Sequence, residues 1–264
     1  MKNIYSADNR IYKHVKALET RKYRDKTGRY LIEGTNVLEE AVKCGIVLEY
    51  VIFRDDYAGA ESLALSLDIK NEPVTMPGGL FHKLSQTEHG QGVLAAAYKK
   101  DCGVDEFFRT VGDRNIVILD RLQDPGNIGT IIRTADAAGY GGLIALKGTG
   151  DIYAPKVIRA ATGSVFRLPV LFLDTPQELT GHARQHGKTL VASCMDAQTP
   201  YYDLDMTKNI ALLIGNEGSG IDKSLINGSD FKVRIPMHGN TDSLNAAVAA
   251  GILMYEGVRK QQEI

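Results

Sequence analysis

Six short apolar runs in the second half of the 264-residue chain constrain its fold more than any other feature. They are 115–120 (NIVILD), 141–146 (GGLIAL), 168–173 (LPVLFL), 189–194 (TLVASC), 209–215 (NIALLIG) and 231–235 (FKVRI). Helical patterns lie between most of them, at 127–138, 155–163, 176–186, 222–227 and 243–262. Strands that are continuously apolar are typical of a parallel sheet with helices on both faces. The sequence therefore predicts an α/β domain built on a parallel sheet.

The first hundred residues alternate helical and strand-like patterns less regularly. Helical patterns occur at 9–20, 35–45 and 60–67, and strand-like patterns at 30–34, 48–53 and 92–98. The stretch 99–115 is polar and has little apolar periodicity. This organisation predicts a small α/β domain at 1–100, a linker at 101–114 and a larger domain at 115–264.

Composition excludes several classes of protein. Hydrophobic residues make up 44% and charged residues 24% of the chain, which is ordinary for a soluble globular protein. No run approaches the ~20 apolar residues of a membrane span, and the N-terminus lacks the apolar core of a secretory signal. The three cysteines, Cys44, Cys102 and Cys194, are far apart and form no CxxC pair, which argues against disulfides and zinc. We therefore expect a cytoplasmic protein without a metal.

Positive charge is concentrated at the start of the chain. Residues 1–30 contain nine Lys and Arg against three acidic residues, whereas the whole chain has a net charge of −1. A basic end favours a polyanionic partner such as RNA, although a solvated helix face explains the charge equally well. Tyrosines at 5, 12, 23 and 30 are interleaved with these cations, and tyrosine rings can stack on unpaired bases. The candidate RNA contacts are Arg10, Lys13, Lys16, Arg21, Lys22 and Arg24, with a second basic group at Lys156, Arg159 and Arg167.

The first of three candidate functional loops is LDRLQDPGNIGTIIRTADAAG, at 119–139. A strand ends at Asp120, a Pro-Gly turn follows, and Asn127 is placed to cap a helix that Gly139 ends. Arg133 lies inside this mostly apolar helix, so it must reach solvent, a carboxylate or an anionic ligand. A structural ion pair, with Asp136 or with another chain, is the alternative to a functional role.

The second loop is LLIGNEGSGI, at 212–221. A buried strand opens into a glycine-rich turn, where backbone amides can approach a ligand closely. Glu217 lies in this turn, at the carboxyl end of the strand, where open α/β sheets bind ligands. The turn matches neither the phosphate-binding GxxxxGK[ST] pattern nor the dinucleotide-binding GxGxxG pattern. An ordinary tight turn explains it equally well.

The third loop is IPMHGNTDSLNAAVAAG, at 235–251, a polar turn followed by a helix of small residues. Asp242 or Ser243 can cap the helix, and Asn245 falls in its first turn. Plain capping and a role in a binding site are equally compatible with these residue types.

Together, in this order and spacing, the three loops resemble the signature motifs of the SpoU (TrmH) family of RNA ribose 2'-O-methyltransferases, in the SPOUT superfamily. The resemblance covers residues 115–260. The N-terminal segment is similar to the small substrate-binding domain of this family, which has a ribosomal-protein-like α/β fold.

The resemblance implies a parallel sheet whose C-terminal segment forms a deep trefoil knot, and a homodimer that binds S-adenosylmethionine and RNA but neither membrane nor metal. It assigns catalytic positions to Asn127, Arg133, Glu217, Ser243 and Asn245. It assigns cofactor-binding positions to Ile214, Gly215, Ile235, Met237 and Leu244. In the family the Arg of the first motif is proposed as a general base. Because a guanidinium stays charged, binding a phosphate and stabilising a developing alkoxide is the alternative for Arg133.

The two-domain layout favours 23S ribosomal RNA as the substrate, with guanosine as one candidate nucleoside. The alternatives within the family are a tRNA 2'-O-methyltransferase and a resistance enzyme that methylates rRNA. A non-catalytic RNA-binding or ribosome-assembly factor that retains the knot is a different class of protein. A metabolic enzyme that uses a nucleotide is a more distant alternative, because the phosphate-binding patterns are absent.

Overall fold

The computed structural model describes residues 1–67, 69–85, 87, 91–100, 102–241 and 243–262. The chain forms two compact units, Met1–Lys100 with Asp151–Phe166, and Asp101–Gly150 with Arg167–Ile264. We call them the N-terminal unit and the C-terminal unit. Each is therefore built from two separate stretches of the chain.

The N-terminal unit is a mixed sheet with short helices. Its strands are β1 (Lys2–Asn3), β2 (Arg29–Glu33), β3 (Leu48–Arg54), β4 (Val74–Met76) and β5 (Val93–Tyr98). Its helices, numbered along the whole chain, are α1 (Arg10–Ala17), α2 (Arg21–Thr27), α3 (Thr35–Lys43), α4 (Ala60–Ser66), α5 (Gly78–Phe81) and α8 (Pro155–Ala161). The strand order is β1-β4-β3-β5-β2, with β5 antiparallel to both of its neighbours and the other pairs parallel.

The basic segment at the start of the chain forms two helices rather than one. The Asn9 side chain caps α1 by accepting a 2.8 Å hydrogen bond from the amide of Ile11. Tyr12 and Val15 of α1 are buried, so the cations at other positions of this helix face outward. Helix α2 ends at Gly28, whose φ of 64° is the left-handed conformation that glycine adopts without strain.

Residues 151–166 belong to the N-terminal unit, whereas the sequence predicted them within the larger domain. Three apolar residues of α8, Val157, Ile158 and Ala161, are buried, and α8 packs against β2. The predicted boundary missed this because a helix between two strands of a sheet normally covers that same sheet.

The C-terminal unit is built on seven strands. They are β6 (Ile116–Asp120), β7 (Gly142–Leu146), β8 (Val170–Leu173), β9 (Thr189–Ser193), β10 (Thr199–Pro200), β11 (Ile210–Gly215) and β12 (Phe231–Arg234). The helices are α6 (Val104–Val111), α7 (Pro125–Ala137), α10 (Pro176–Gln185), α11 (Lys223–Gly228) and α12 (Ala246–Gln262), and α9 (Ser164–Arg167) lies where the chain passes from one unit to the other.

All pairings in this sheet are parallel, in the order β10-β12-β9-β11-β6-β7-β8. Ile116 and Ile118 of β6 pack in one core cluster with residues of α6, α10 and α11. Val117 and Leu119 point to the opposite face and are also fully buried. The prediction of a parallel sheet covered on both faces is confirmed.

The predicted linker contains a helix and was wrong as a linker. Phe107, Phe108 and Val111 of α6 are at most 4% exposed and form part of the core of the C-terminal unit. With Val104 they follow the i, i+3, i+4, i+7 spacing of an amphipathic helix. The prediction failed because the pattern spans only eight residues and polar residues flank it.

The last helix packs closely against the backbone. A Cβ built on Gly257 of α12 would lie 2.4 Å from the carbonyl oxygen of Met206. Lys260, one turn further on, donates hydrogen bonds of 2.7 and 2.8 Å to the carbonyls of Tyr202 and Leu204. The small residues of α12 therefore permit contacts that larger side chains would block.

No helix among the described residues is long and apolar enough to cross a membrane.

Candidate active site

The three candidate loops leave the sheet at the same edge. In a parallel sheet the carboxyl ends of all strands lie together, and β6, β11 and β12 end at Asp120, Gly215 and Arg234. Strands β6 and β11 are neighbours, with Gly215 directly opposite Asp120. The edge therefore collects all three loops, as expected for a binding site in an open α/β sheet.

A chain of hydrogen bonds joins one polar residue from each loop. The Asn127 amide nitrogen donates to Glu217 Oε1 at 3.1 Å. The Asn245 amide nitrogen donates to Asn127 Oδ1 at 2.9 Å. Asn127 therefore uses both ends of its amide and links the second loop to the third.

The sequence placed Asn127 as the cap of α7, but Asp124 is the cap. The Asp124 carboxylate accepts a 2.8 Å hydrogen bond from the backbone N–H of Asn127, which is the third residue of the helix. Pro125 follows the cap, where its fixed φ suits the first turn. This leaves the Asn127 side chain free of the helix end, so that it can bond to the other two loops.

Glu217 receives several hydrogen bonds that stabilise its charged form. Besides Asn127, the backbone N–H groups of Gln123 and Asp124 donate to its two oxygens at 3.4 and 3.3 Å. Partial burial raises the pKa of Glu217, but the bond from Asn127 and those from backbone amides outweigh it and leave the pKa below its ordinary value. Glu217 is therefore ionised at neutral pH and is a weak base.

Gly215 and Asn216 shape the second loop. A Cβ on Gly215 would lie 2.4 Å from backbone atoms of Gly220 and Ile221, so no other residue fits without moving the backbone. The side-chain oxygen of Asn216 accepts from the backbone N–H groups of Gly218 and Ser219 at 3.0 Å, while its side-chain nitrogen donates to the carbonyl of Arg121 at 2.9 Å. Sequence reasoning did not select Asn216, although an Asn among glycines is a recognisable turn signal.

Asp120 and Arg121 also organise this edge and were not selected from the sequence. The buried Asp120 carboxylate accepts two hydrogen bonds from Arg121, at 2.9 and 3.0 Å, and one from the backbone N–H of Asp222, at 2.7 Å. The hydrogen bonds to Asp120 raise the pKa of Arg121 above its ordinary value. Arg121 also has a φ of 56°, which is uncommon for a residue with a side chain. The sequence signal that could have identified them is an acidic residue followed by a basic one at the end of an apolar strand.

Arg133 is exposed on α7 and is not part of a structural ion pair with Asp136. The Asp136 carboxylate instead pairs with Arg167, at 2.7 and 2.8 Å. No hydrogen bond or ion pair joins Arg133 to another residue in the described part of the chain. Its guanidinium is therefore available to an anionic ligand.

In the third loop, Asn245 is the cap of α12. Its side-chain oxygen accepts from the amides of Ala247 and Val248 at 2.9 and 3.3 Å, and Asp242 lies outside the described residues. Ser243 was the other predicted cap, but its side chain is exposed and only its backbone carbonyl is bonded, by Thr241 at 3.2 Å. The Ser243 hydroxyl is thus not committed to the helix end.

The residues that the resemblance assigns to S-adenosylmethionine suit that ligand. Ile214 is 3% exposed and ends the buried part of β11, whereas Ile235, Met237 and Leu244 retain partly exposed apolar surface. Partly exposed apolar side chains can pack on an adenine ring, while backbone groups bond its polar edge. The side chains and the Cβ-free backbone at Gly215 therefore fit an adenosyl group.

The predicted RNA-binding residues differ in their surroundings. Arg10, Lys13, Arg21 and Lys22 are exposed, and Lys16 and Arg159 are half-buried. Arg24 is 4% exposed and was wrong as an RNA contact, because it bonds to the Asp151 carboxylate and to the carbonyls of Leu18 and Glu19. Among the described residues, no group of His, Cys, Asp and Glu side chains could hold a metal ion.

Comparison with known protein families matches two separate regions of the chain. Residues 114–255 match the model of the SpoU rRNA methylase family, and residues 9–95 match that of the MRM3-like substrate-binding domain. The chain is 33% identical, over 97% of its length and 98% of the relative's, to the 23S rRNA (guanosine(2553)-2'-O)-methyltransferase RlmP of Bacillus subtilis. It is 32% identical, over 98% of its length and 93% of the relative's, to a 23S rRNA (uridine(2479)-2'-O)-methyltransferase of Streptomyces viridochromogenes. An AdoMet-bound rRNA methyltransferase from Sinorhizobium meliloti superposes with a TM-score of 0.89 at 30% identity, covering 98% of both chains.

Proposed function

The chain belongs to the SpoU rRNA methylase family, and we propose that it methylates the 2'-hydroxyl of one ribose in 23S ribosomal RNA. It is an S-adenosylmethionine-dependent RNA 2'-O-methyltransferase, so the resemblance drawn from the three loops is confirmed. The family fold implies the trefoil knot. A cytoplasmic location follows from a ribosomal substrate.

The observation that carries the proposal is the bonded chain Glu217–Asn127–Asn245. It joins the three loops at the carboxyl edge of the sheet. Two further side chains of the same motifs, Arg133 of α7 and the Ser243 hydroxyl of the third loop, have no structural partner in the described chain. Aligned transfer between two bound substrates requires both kinds of group, fixed ones for positioning and uncommitted ones for contact with the substrates.

When bound, S-adenosylmethionine supplies an electrophilic methyl group. Side chains of Ile235, Met237 and Leu244 would pack on its adenosyl part, and the backbone at Ile214 and Gly215 would approach it closely. The enzyme's remaining task is to hold the ribose hydroxyl in line and to stabilise negative charge as its proton leaves.

Arg133 is suited to that second task. Because guanidinium groups do not act as bases in proteins, Arg133 would bind a substrate phosphate and stabilise the developing alkoxide rather than accept a proton. Glu217 is a poor general base because its pKa is lowered, and a base works best with a pKa near the working pH. We assign Glu217, Asn127 and Asn245 to positioning and Ser243 to orienting the hydroxyl.

A homodimer is part of the proposal. Val248 and Tyr255 of α12 are 51% and 48% exposed, and both lie on one side of the helix, seven residues apart. Helix α12 packs against α7, which carries Arg133, so a second copy seated on this face would approach the active site. We expect Val248→Glu with Tyr255→Glu to give monomers by light scattering, and an unchanged mass would refute this interface.

The test of the function is a map of 2'-O-methyl groups in total RNA. We expect cells of the source organism that lack the protein to lose one modification in 23S rRNA. The wild-type gene should restore it, and an Arg133→Ala gene at equal expression should not. If no ribosomal position loses its methyl group, the proposed substrate is wrong, and a lost tRNA position would identify the alternative one.

A further inference from the structure

The N-terminal unit has a groove of about 660 Å³ that is lined by residues of α1, α2 and β3. It combines cationic side chains with partly exposed rings. Arg10, Lys13 and Lys26 supply positive charge, and Tyr23 and Tyr50 supply aromatic surface. Its size suits a nucleotide, and this combination of groups is typical of proteins that hold unpaired RNA bases.

A carboxylate lies in the wall of this groove. Glu49 is 14% exposed, and its Oε2 accepts a 2.9 Å hydrogen bond from His14 Nε2 and lies 3.4 Å from Arg29 Nε. The other nitrogen of His14 lies 3.0 Å from the hydroxyl of Tyr23. These contacts hold Glu49 in place at the groove.

The other oxygen of Glu49, Oε1, has no hydrogen-bond partner among the described residues. A carboxylate oxygen is a strong acceptor with two lone pairs, and in the wall of a groove it can bond a donor of a ligand that displaces water. A donor from a ligand in the groove would therefore be recognised specifically. The two N–H donors of a guanine Watson–Crick edge are adjacent, whereas the other bases present a donor beside an acceptor.

Two cations at the groove have no ion pair among the described residues. They are Arg10 and Lys26, and both are exposed. Lys13 pairs with Asp8 at 2.8 Å, but both side chains are mostly exposed, so this pair is easily exchanged for a phosphate.

We propose that this groove binds an unpaired guanosine of the substrate RNA, separate from the ribose that is methylated. The guanine packs on Tyr23 and Tyr50 and donates to Glu49, and the flanking phosphates lie against Arg10 and Lys26. This rests on the proposed function in taking RNA as the ligand. It adds a determinant of which RNA the enzyme selects.

The experiment measures binding of short oligoribonucleotides to the full chain without cofactor. The probes are fluorescein-labelled uridine nonamers whose central residue is U, A, C, G or inosine. Fluorescence anisotropy should show the G probe binding about 10-fold more tightly than the U, A and C probes, the discrimination of one good two-donor contact. Inosine lacks the exocyclic amino group of guanine and should lose most of this preference, with the protein unaltered.

Variants then test which residues cause the preference for guanine. Glu49→Gln should bind all five probes alike, whereas Glu39→Gln, which removes the same charge from an exposed position on α3, should keep the G preference. The double variant Arg10→Gln with Lys26→Gln should bind all five probes more weakly, by the same factor. It should also reduce the salt dependence by about 1.4 in the slope of log K against log salt, or 0.7 per lost phosphate contact.

Equal binding of the G and inosine probes overturns the proposal, and so does a G preference that survives in a folded Glu49→Gln protein. A Glu49→Gln protein that does not fold leaves the inosine and Arg10/Lys26 measurements to decide. No methyl transfer enters the assay. A protein that methylates 23S rRNA but shows no G preference therefore refutes this inference alone, and one that prefers G but methylates no ribosomal site refutes the function alone.

Discussion

Asn127 is the residue on which the geometry of the active site depends most directly. Its amide accepts from Asn245 and donates to Glu217, while its own backbone N–H is satisfied by Asp124. A side chain that bonds two other loops adds more to their alignment than to the stability of its own helix. Catalysis should therefore be more sensitive to its loss than folding.

We predict that Asn127→Ala lowers the single-turnover rate of methyl transfer at least about 10-fold while destabilising the protein by only about 1 kcal/mol, the usual value of one exposed hydrogen bond. Asn245→Ala should reduce the rate similarly, and the double variant should lose little more, because both residues act through the same chain of bonds. Fully multiplicative rate losses would show that the two residues act independently.

The lowered pKa of Glu217 predicts how the stability of the protein changes in acid. Its folded-state pKa lies below the ordinary value of 4.5, so the stabilisation that it provides is fully present above that value and is lost as pH falls through the lower, folded-state pKa. The difference in unfolding free energy between wild type and Glu217→Gln should be constant from pH 7 to about 5 and shrink towards pH 3. A difference that stays constant to pH 3 would contradict the lowered pKa. Because the side chain is exposed, the effect should be small.

Most of the elements could be predicted from the sequence, and the ones that were missed are all short. Six of the seven strands of the parallel sheet, all except β10, and α7, α10 and α12 lie within a few residues of their predicted positions, because buried strands and long amphipathic helices carry the strongest patterns. Helix α6 was taken for a linker, and α2 lies beyond the helix predicted at 9–20 and was not predicted. Two functional details of the site, the Asp124 cap and the Asn216 turn, depend on side-chain hydrogen bonds that periodicity does not record.

Helix α12 offers a matched pair of glycines that tests its close packing. A Cβ on Gly257 would lie 2.4 Å from the Met206 carbonyl, whereas one on Gly251 would lie at an ordinary 3.8 Å from a methyl group of Thr134. Helix propensity alone favours Ala over Gly by about 1 kcal/mol at both sites. We predict that Gly251→Ala is neutral or stabilising and that Gly257→Ala destabilises by about 1–3 kcal/mol, the usual cost of overpacking.

Chemical denaturation of both variants at one protein concentration would measure this difference, with far-UV circular dichroism as the probe. Equal effects of the two substitutions would mean that α12 can move away from residue 206, and that its small residues are not required by close packing.

Besides the helix found in the predicted linker, the molecule as a whole differs from its predicted organisation in the assembly of the N-terminal unit from two distant stretches of chain. Asp151 and α8 complete a unit that otherwise ends at Lys100. The contact that joins these stretches most specifically is the Arg24–Asp151 pair, whose side chains are 4% and 10% exposed. Sequence reasoning assigned Arg24 to RNA because its neighbours are basic, and charge patterning along a helix cannot show that one cation of the series is buried.

Arg24→Gln and Arg21→Gln are therefore matched variants, and we expect them to have opposite effects on stability and on RNA binding. Arg24→Gln leaves the Asp151 carboxylate buried without its partner, which should cost about 3–5 kcal/mol of unfolding free energy. Arg21 pairs with Asp25 at 3.6 Å on the surface, so Arg21→Gln should change stability by less than about 0.5 kcal/mol. RNA binding should show the reverse: Arg21→Gln lowers affinity and its salt dependence, whereas folded Arg24→Gln binds as the wild type does. A stable Arg24→Gln protein with weakened RNA binding would restore Arg24 to the RNA-binding surface and contradict its role in joining the two stretches.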